Sequence, residues 1–153
     1  MKNLIVVGAG DLGRELLVIA REAFLSNSEV LIKGFIDPDP LALDKTDIKL
    51  PILGLDSEYE IQPNDRFVIA LGNPIERDQI AATLEARGAK FMSIIHPSAI
   101  VAPGANIEDG CILAQFSFVA TGAYLYSHVF LNTYASVGHD RLVGRSCVLS
   151  PGA

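Results

Sequence analysis

The sequence has no apolar run approaching the roughly 20 residues that a membrane-spanning helix needs. Its N-terminus also lacks the longer apolar core and small-residue cleavage site of a signal peptide. Basic residues are scarce, 12 against 18 acidic ones, so the net charge is -6. This balance argues against nucleic acid or an anionic membrane as a partner. The sequence therefore predicts a cytoplasmic protein, and with 50% of its residues hydrophobic it can bury a core.

The most regular feature of the sequence is a six-residue repeat over residues 95–153. A branched aliphatic residue occupies every sixth position without interruption: Ile95, Val101, Ile107, Leu113, Val119, Leu125, Leu131, Val137, Val143 and Leu149. A second column, small in eight of its ten members, follows four places after each: Ala99, Ala105, Cys111, Ser117, Ala123, Val129, Ala135, Arg141, Cys147 and Ala153. Such a pair of columns is the signature of a hexapeptide solenoid.

A period of six fits neither a helix, whose period is 3.6, nor a lone strand, whose period is 2. It fits a prism in which three six-residue sides make one coil. The aliphatic residue of each side fills the interior, the small residue lets the chain turn at the corner, and each coil buries its interior by stacking on the next. The alternative, an ordinary series of short strands, would interrupt the register.

Both cysteines, Cys111 and Cys147, fall in the small-residue column and are separated by two full coils. Strands stacked about 4.8 Å apart would hold them about 10 Å apart, which is too far for a disulfide. We therefore expect two buried thiols that act as small apolar residues. A metal or redox pair is the alternative, and no metal ligand is assigned.

Residues 1–94 alternate predicted strands and helices, which implies a small parallel sheet with helices on both faces. They are too few for both halves of a dinucleotide-binding fold. The chain thus divides into an α/β domain at 1–94 and a solenoid at 95–153. The predicted elements are strands at 4–7, 30–36, 66–71 and 91–94, a short buried segment at 51–54, and helices at about 12–24 and 74–87, the second capped by Asn73 and closed by Gly88.

A glycine loop follows the first predicted strand and opens the first helix. It has the pattern G-x-G-x-x-G, in which glycines allow a tight turn and let a phosphate approach the helix N-terminus. The candidate binding residues are Gly8, Gly10, Asp11, Leu12 and Gly13. Asp37, 24 residues after Gly13, stands close to where a dinucleotide fold has its ribose-binding acid. The alternatives are a ligand-free tight turn for the loop and an Asp-Pro turn for Asp37.

The chain resembles the NeuD/PglD family of bacterial sugar O- and N-acetyltransferases over essentially its whole length. The matching pieces are Gly8-Ala9-Gly10-Asp11-Leu12-Gly13-Arg14-Glu15, Gly34-Phe35-Ile36-Asp37, Leu53-Gly54, Ile69-Ala70-Leu71-Gly72-Asn73, His96-Pro97-Ser98-Ala99, Asn132-Thr133 and Val137-Gly138-His139-Asp140. The resemblance implies a Rossmann-like acceptor-binding domain, to which Gly72 and Asn73 contribute, followed by a left-handed parallel β-helix. It also implies a homotrimer that holds acetyl-CoA, as co-substrate, between neighbouring β-helices.

The sequence departs from the family pattern at two places. Family members often carry a Gly-His pair in the glycine loop where this chain has Asp11 and Leu12, so the acceptor, a nucleotide sugar or sialic acid, stays open. The chain also ends at Ala153 within a hexad, whereas the family continues for several coils. We therefore expect residues 1–153 to bind the acceptor but to show little acetyl-CoA binding or turnover.

The resemblance assigns the catalytic base to His139, which follows Val137-Gly138 at a predicted turn. Acetyl transfer from a thioester needs a base, and the near-neutral pKa of histidine suits this role. Asp140 would orient the imidazole if the chain turns at 139–140, and Gly138 would leave room for the co-substrate. An exposed turn histidine is the alternative. His96 is interpreted as structural, and His128 as a surface or packing residue.

Three functions fit these features. The first is an acetyl-CoA-dependent acetyltransferase acting on an amino sugar, nucleotide-linked or free. The second is a non-catalytic nucleotide- or NAD-binding sensor that uses the glycine loop and Asp37. The third is a trimerising solenoid in which His139 has no role. Acetyl transfer that depends on His139 distinguishes the first from the others.

Overall fold

A computed structural model describes residues 1–153, and its first part is a parallel sheet flanked by two helices. The elements are β1 (Lys2–Val7), α1 (Asp11–Ala23), β2 (Val30–Ile36), β3 (Asp65–Ile69) and α2 (Pro74–Ala86), with strand order β2-β1-β3. Along β1, Leu4 and Val6 belong to the same core cluster as α1, whereas Ile5 and Val7 share a cluster with α2. Because successive residues of a strand face opposite sides, the two helices cover opposite faces, as predicted.

The predicted bounds of this unit agree with the structure to within two residues for β1, α1, β3 and α2, and β2 has its predicted bounds. The predicted cap of α2 is confirmed, because Asn73 Oδ1 accepts hydrogen bonds from the N–H groups of Ile75 and Glu76. Gly88 follows the end of α2 with a φ of +82°, a conformation that ends helices.

The predicted strand at 91–94 is wrong. Phe91 forms only an isolated parallel bridge with Phe67, and Ile94 begins the first strand of the solenoid instead. A short apolar run does not specify which sheet it joins, and here its two ends pair with different sheets. The segment at 51–54 contributes a similar isolated bridge, between Ile52 and Phe35.

The remaining residues form a parallel β-helix of ten two-residue strands. They are β4 (Ile94–Ile95), β5 (Ile100–Val101), β6 (Asn106–Ile107), β7 (Ile112–Leu113), β8 (Phe118–Val119), β9 (Tyr124–Leu125), β10 (Phe130–Leu131), β11 (Ser136–Val137), β12 (Leu142–Val143) and β13 (Val148–Leu149). They form three parallel sheets, ordered β13-β10-β7-β4, β11-β8-β5 and β12-β9-β6. Each strand pairs with the strand one coil away, as in Leu113 with Leu131. The predicted prism is confirmed.

The hexad column forms the interior of the prism. Val119 and Leu131 are fully buried, as the register predicts, and so are Leu113 and Leu125. Burial falls toward the first coil, where Ile95 remains 37% exposed, because an end coil has a stacked neighbour on one side only. The column therefore stabilises the solenoid mainly through its central members.

The corners of the prism follow a third column that was not predicted. From Val101 onward, the residue three places after each interior aliphatic has a positive φ, and in five cases it is not glycine: Phe116, His128, Tyr134, Asp140 and Ser146. In four of the five, the N–H donates to a carbonyl of the preceding coil, for example Asp140 N to Thr121 O at 3.0 Å. The N–H of Phe116 donates instead to Ser98 Oγ of the preceding coil, at 3.0 Å. These inter-coil hydrogen bonds stabilise a conformation that is otherwise unfavourable for residues with a Cβ.

The two cysteines differ in burial, so the expectation of two buried thiols is half wrong. Cys111 is buried, its Sγ donates to Tyr126 O at 3.2 Å, and desolvation raises its pKa to about 11. Cys147 is exposed, whereas Val129, one coil before it in the same column, is buried. Both thiols are free.

One face of the prism packs against the α/β unit. The outward side chains of the β13-β10-β7-β4 sheet, Ile94, Ile112 and Phe130, are buried in the core cluster that also contains Leu16 and Leu17 of α1. The two other sheets do not contribute to this cluster. The α/β unit and the β-helix thus share a hydrophobic core across one side of the prism.

Charged side chains connect α2 to the corner between β12 and β13, beside the face that packs against the α/β unit. The guanidinium of Arg145 bonds Asp78 Oδ1 at 2.8 Å and both carboxylate oxygens of Glu85 at 2.9 and 3.0 Å. Ser146 Oγ also donates to Asp78 Oδ1, at 2.9 Å. These bonds with Arg145 hold the pKa values of Asp78 and Glu85 below their usual range. No helix in the structure combines the length and hydropathy needed to cross a membrane.

We expect Val119→Asp to unfold the solenoid, because the fully buried site offers no partner for a carboxylate. The expected loss is about 3–5 kcal/mol, the cost of an uncompensated buried charge, measured by urea unfolding. Ser136→Asp is the matched control, since Ser136 lies on the same sheet but is exposed. Equal stability of the two variants would contradict the assigned register.

Candidate functional site

Three loops meet at the carboxyl edge of the α/β sheet. The glycine loop at 8–13 follows β1, Asp37 follows β2, and Gly72 and Asn73 lie just beyond β3. Because β1 is the middle strand, its loop lies between the other two. A backbone hydrogen bond connects the glycine loop to the end of β2, with Gly8 N donating to Ile36 O at 2.8 Å. Open α/β sheets bind ligands at this edge, so the residues predicted to bind substrate share one surface.

The three loop glycines have different roles. A Cβ on Gly8 would lie 2.9 Å from Ala70 O, and one on Gly13 would overlap Gly8 O, so both positions require glycine for close packing. Gly10 differs, because a Cβ there would meet nothing within 4 Å and its φ of -78° suits any residue. The space beside Gly10 is therefore open to a ligand.

Helix α1 begins beside this open space without a side-chain cap. The N–H groups of its first turn have no partner within the helix and favour an anion. Asp11 is exposed and forms an ion pair with Arg14, which offsets its negative charge near such an anion. Leu12 is partly buried against the α/β core, so it packs the loop as well as bordering the site.

Asp37 closes the glycine loop through its carboxylate. Its Oδ2 accepts a hydrogen bond from Ala9 N at 2.8 Å, and its Oδ1 accepts from Asp39 N at 2.9 Å. Each oxygen keeps a second lone pair that a ligand hydroxyl can use. Asp37 therefore has a structural role in the turn, and its geometry also suits contact with a ribose.

His139 and Asp140 form a pair at a corner of the β-helix between β11 and β12. The chain turns at these residues, with Asp140 at a φ of +57°, and His139 Nδ1 lies 3.1 Å from Asp140 Oδ2. Their side chains are 78% and 77% exposed. A proton on Nδ1 shared with the carboxylate leaves Nε2 unprotonated, facing solvent and able to accept a proton.

The other two histidines are buried at the junction between the two units. His96 Nδ1 accepts from Ser98 N at 3.0 Å, and its Nε2 bonds Glu22 on α1. This environment agrees with the structural interpretation of His96. The pair also attaches α1 to the first coil.

His128 is a packing residue and not a surface one, since it is only 1% exposed. Its ring packs edge-on to Phe91, and Nε2 lies 2.8 Å from Glu85 Oε1. Burial lowers its pKa, against the opposing effect of Glu85. The fully buried Arg77 donates to His128 O at 2.6 Å, so α2 is tied to this corner as well, and burial lowers the pKa of Arg77 to about 10.

The two parts of the predicted site lie on different surfaces of the chain. The α/β unit covers the β13-β10-β7-β4 sheet, and the corner between the other two sheets, which carries His139, is the one that does not border this sheet. Neither His139 nor the glycine loop lines any of the four cavities. The largest two, each about 390 Å³, lie beside the loop at 40–52 and between α2 and residues 145–147.

Two features of the site region were not predicted from the sequence. The corner column was visible only as glycines at six-residue multiples, and the side chains that replace glycine in it concealed the pattern. The bonds of Arg145 to α2 join residues at least 60 apart in the chain, and no local pattern identifies such partners. No group of three histidine, cysteine or acidic residues is arranged to hold a metal ion.

Known proteins resemble both units of the chain. Residues 3–84 match the family model described as the PglD N-terminal domain. The chain is 30% identical over 115 residues to the UDP-N-acetylbacillosamine N-acetyltransferase of Bacillus subtilis (strain 168), an alignment that covers 74% of this chain and 51% of that protein. The chain thus spans about half the length of this curated relative.

Solved structures resemble the chain over almost all of its residues. The acetyltransferase domain of PglB from Neisseria gonorrhoeae FA1090, in complex with acetyl coenzyme A, is 30% identical with a TM-score of 0.79, and the match covers 99% of this chain and 71% of that one. WeeI from Acinetobacter baumannii AYE has a TM-score of 0.81 at 23% identity, with the same coverage. At that lower identity the likeness shows the fold alone.

Proposed function

Because the chain belongs to the NeuD/PglD family, we propose that it transfers an acetyl group from acetyl-CoA to the amino group of a nucleotide-linked amino sugar. The observation that carries the proposal is the exposed His139–Asp140 pair in a chain 30% identical to an acetyltransferase domain solved with acetyl coenzyme A. The name of the B. subtilis relative supports a UDP-linked amino sugar as the acceptor and an amine as the acetylated group.

The acceptor binds at the carboxyl edge of the α/β sheet. Its phosphates approach the open space beside Gly10 and the free N–H groups at the start of α1, which favour negative charge. Asp37 accepts a hydrogen bond from the ribose, while the exposed Gly72 and Asn73 border the site from the neighbouring strand. The neutral Leu12 stands where many relatives have a histidine, so this loop binds the acceptor without supplying a base.

His139 acts as the general base. Its Nε2 takes a proton from the attacking amine as the nitrogen bonds to the thioester carbonyl carbon. The carbon–sulfur bond then breaks, and the imidazolium returns the proton to the departing thiolate. Asp140 stabilises the imidazolium and holds the ring through Nδ1, at 3.1 Å.

The thioester reaches His139 beside Gly138. This glycine is exposed, and apart from its chain neighbours a Cβ there would contact only Arg141 Cγ, at 3.6 Å, so the space beside Gly138 is open. A backbone without a side chain at this point admits an extended co-substrate. Gly138 is accordingly the residue of this corner that we assign to acetyl-CoA.

The separation of the two surfaces supports a homotrimer joined through its β-helices. His139 lies at the corner away from its own α/β unit, so a second chain has to present the acceptor to it. The two uncovered sheets carry exposed apolar side chains, including Ile100 at 59%, Phe118 at 40% and Leu142 at 70% exposure. Apolar patches of this kind mark protein–protein contacts. Neighbouring copies of the β-helix would cover them and enclose His139.

We expect Gly10→Val to abolish binding of a UDP-linked amino sugar, because the valine side chain fills the space that the phosphates need. The fold should be kept, since a Cβ at Gly10 meets nothing within 4 Å. Calorimetric titration measures the affinity. Gly144→Val is the matched control, because this exposed glycine lies on the β-helix with space around it. Unchanged affinity in Gly10→Val would mean that the loop is only a turn.

In the full-length protein, His139→Ala should lower kcat by roughly 10²–10⁴-fold, the usual contribution of a positioned base. The affinity for the acceptor should barely change, because the surface at the carboxyl edge of the α/β sheet binds the acceptor. Asp140→Asn should lower kcat by less than His139→Ala, because Asp140 acts only through the ring. The melting temperature should stay constant, since both side chains are exposed. Near-normal turnover in His139→Ala would refute the assignment. Nucleotide or NAD binding by the full-length protein without acetyl transfer would favour the sensor.

A further inference from the structure

The corner that carries His139 is built on a column with one residue per coil. Gly104, Gly122 and Asp140 follow one another at intervals of 18 residues, and their φ angles are 82°, 70° and 57°. Asp140 is the one member with a side chain. Its carboxylate therefore lies against the corner of the coil before it.

The Asp140 carboxylate occupies the space that a side chain on Gly122 would need. A Cβ on Gly122 would overlap Asp140 Oδ1 and lie 3.2 Å from its Cγ. The other oxygen, Oδ2, lies 3.1 Å from His139 Nδ1. The N–H of Asp140 donates to Thr121 O at 3.0 Å, which fixes the backbone beneath the carboxylate. The carboxylate is thus held between the Gly122 backbone and the imidazole.

Few other contacts restrain the pair. The side chains of His139 and Asp140 are 78% and 77% exposed, and their bond to each other is the one hydrogen bond that either makes through its side chain. An exposed ion pair of this kind contributes little to stability by itself, because holding two side chains in one geometry costs entropy. The space above Gly122 accepts the carboxylate in one orientation, so less of this entropy is lost when the imidazole forms its hydrogen bond.

We propose that Gly122 is a positioning residue for His139. Its missing side chain admits the Asp140 carboxylate, which holds the imidazole as the Nδ1–H tautomer and leaves Nε2 free to accept a proton. The catalytic consequence rests on the proposed function, whereas the effect on the tautomer concerns these three residues alone.

Gly104 provides a matched control one coil away. Its φ of 82° means that alanine meets a similar backbone strain there and at Gly122. A Cβ on Gly104 would make ordinary contacts, with Thr121 Oγ1 at 3.5 Å and Gly122 N at 3.7 Å. The difference between Gly122→Ala and Gly104→Ala therefore isolates the displacement of the Asp140 carboxylate.

The first measurement is the tautomer of His139, from ring ¹⁵N shifts of histidine-labelled protein at a pH where the ring is neutral. We expect Gly122→Ala to shift the ring toward the Nε2–H form that an unrestrained histidine side chain favours, and Gly104→Ala to leave it unchanged. In turnover assays of the full-length protein, Gly122→Ala should lower kcat about 10–100-fold, as when a partner that orients a functional histidine is removed. The KM for the acceptor should change little, and adding Asp140→Asn should cause no further loss.

Identical ring shifts, or equal losses of kcat, in Gly122→Ala and Gly104→Ala would overturn the proposal. If Gly122→Ala does not fold, the double variant Gly122→Ala/Asp140→Gly removes the carboxylate. Recovery of folding then supports the contact, and failure to recover contradicts it. A changed tautomer in a full-length protein that transfers no acetyl group would support the positioning role and refute the proposed function instead.

Discussion

The outward side chains of one sheet of the β-helix determine how the rest of the molecule is oriented. Ile94, Ile112 and Phe130 are buried beneath α1, and a large apolar side chain contributes about 1.5–3 kcal/mol when fully buried. Polar contacts flank this core on both sides, through Glu22 with His96 and through Arg145 with α2. The α/β unit is therefore attached along the whole face.

This attachment separates the two chemical surfaces of the chain. The glycine loop lies at the carboxyl edge of the α/β sheet, and His139 lies at the corner of the prism that does not border the shared core. The repeat also positions the side chain beside His139, the base that we propose. The 18-residue coil brings Gly122 beneath Asp140. The largely exposed Asp140 carboxylate can therefore rest against the Gly122 backbone and point toward the imidazole. Closure by a neighbouring copy completes the proposed site.

Much of this arrangement is predictable from the sequence. A period of six has one simple structural solution, so the buried Val119 and Leu131 follow from it. The strands and helices before the repeat follow instead from their own apolar segments and helix ends. The corner column was not predictable from residue type. A left-handed conformation costs a residue such as Phe116 about 1–2 kcal/mol, and only the inter-coil hydrogen bonds of the folded chain offset this cost. The Arg145 bonds depend on contacts between distant segments, which local patterns do not encode. The small-residue column likewise does not show which of its members is covered, so it did not distinguish the exposed Cys147 from the buried Cys111.

The central claim is that the acceptor surface of one chain serves the base of another. Complementation between two inactive full-length variants tests it most directly. Gly10→Val chains and His139→Ala chains are unfolded together, refolded and assayed for acetyl transfer against each variant refolded alone. Activity should return in the mixture, because some sites then combine an intact glycine loop from one chain with an intact His139 from its neighbour. A mixed assembly that stays as inactive as its parents would contradict the claim and mean that each site is formed within a single chain.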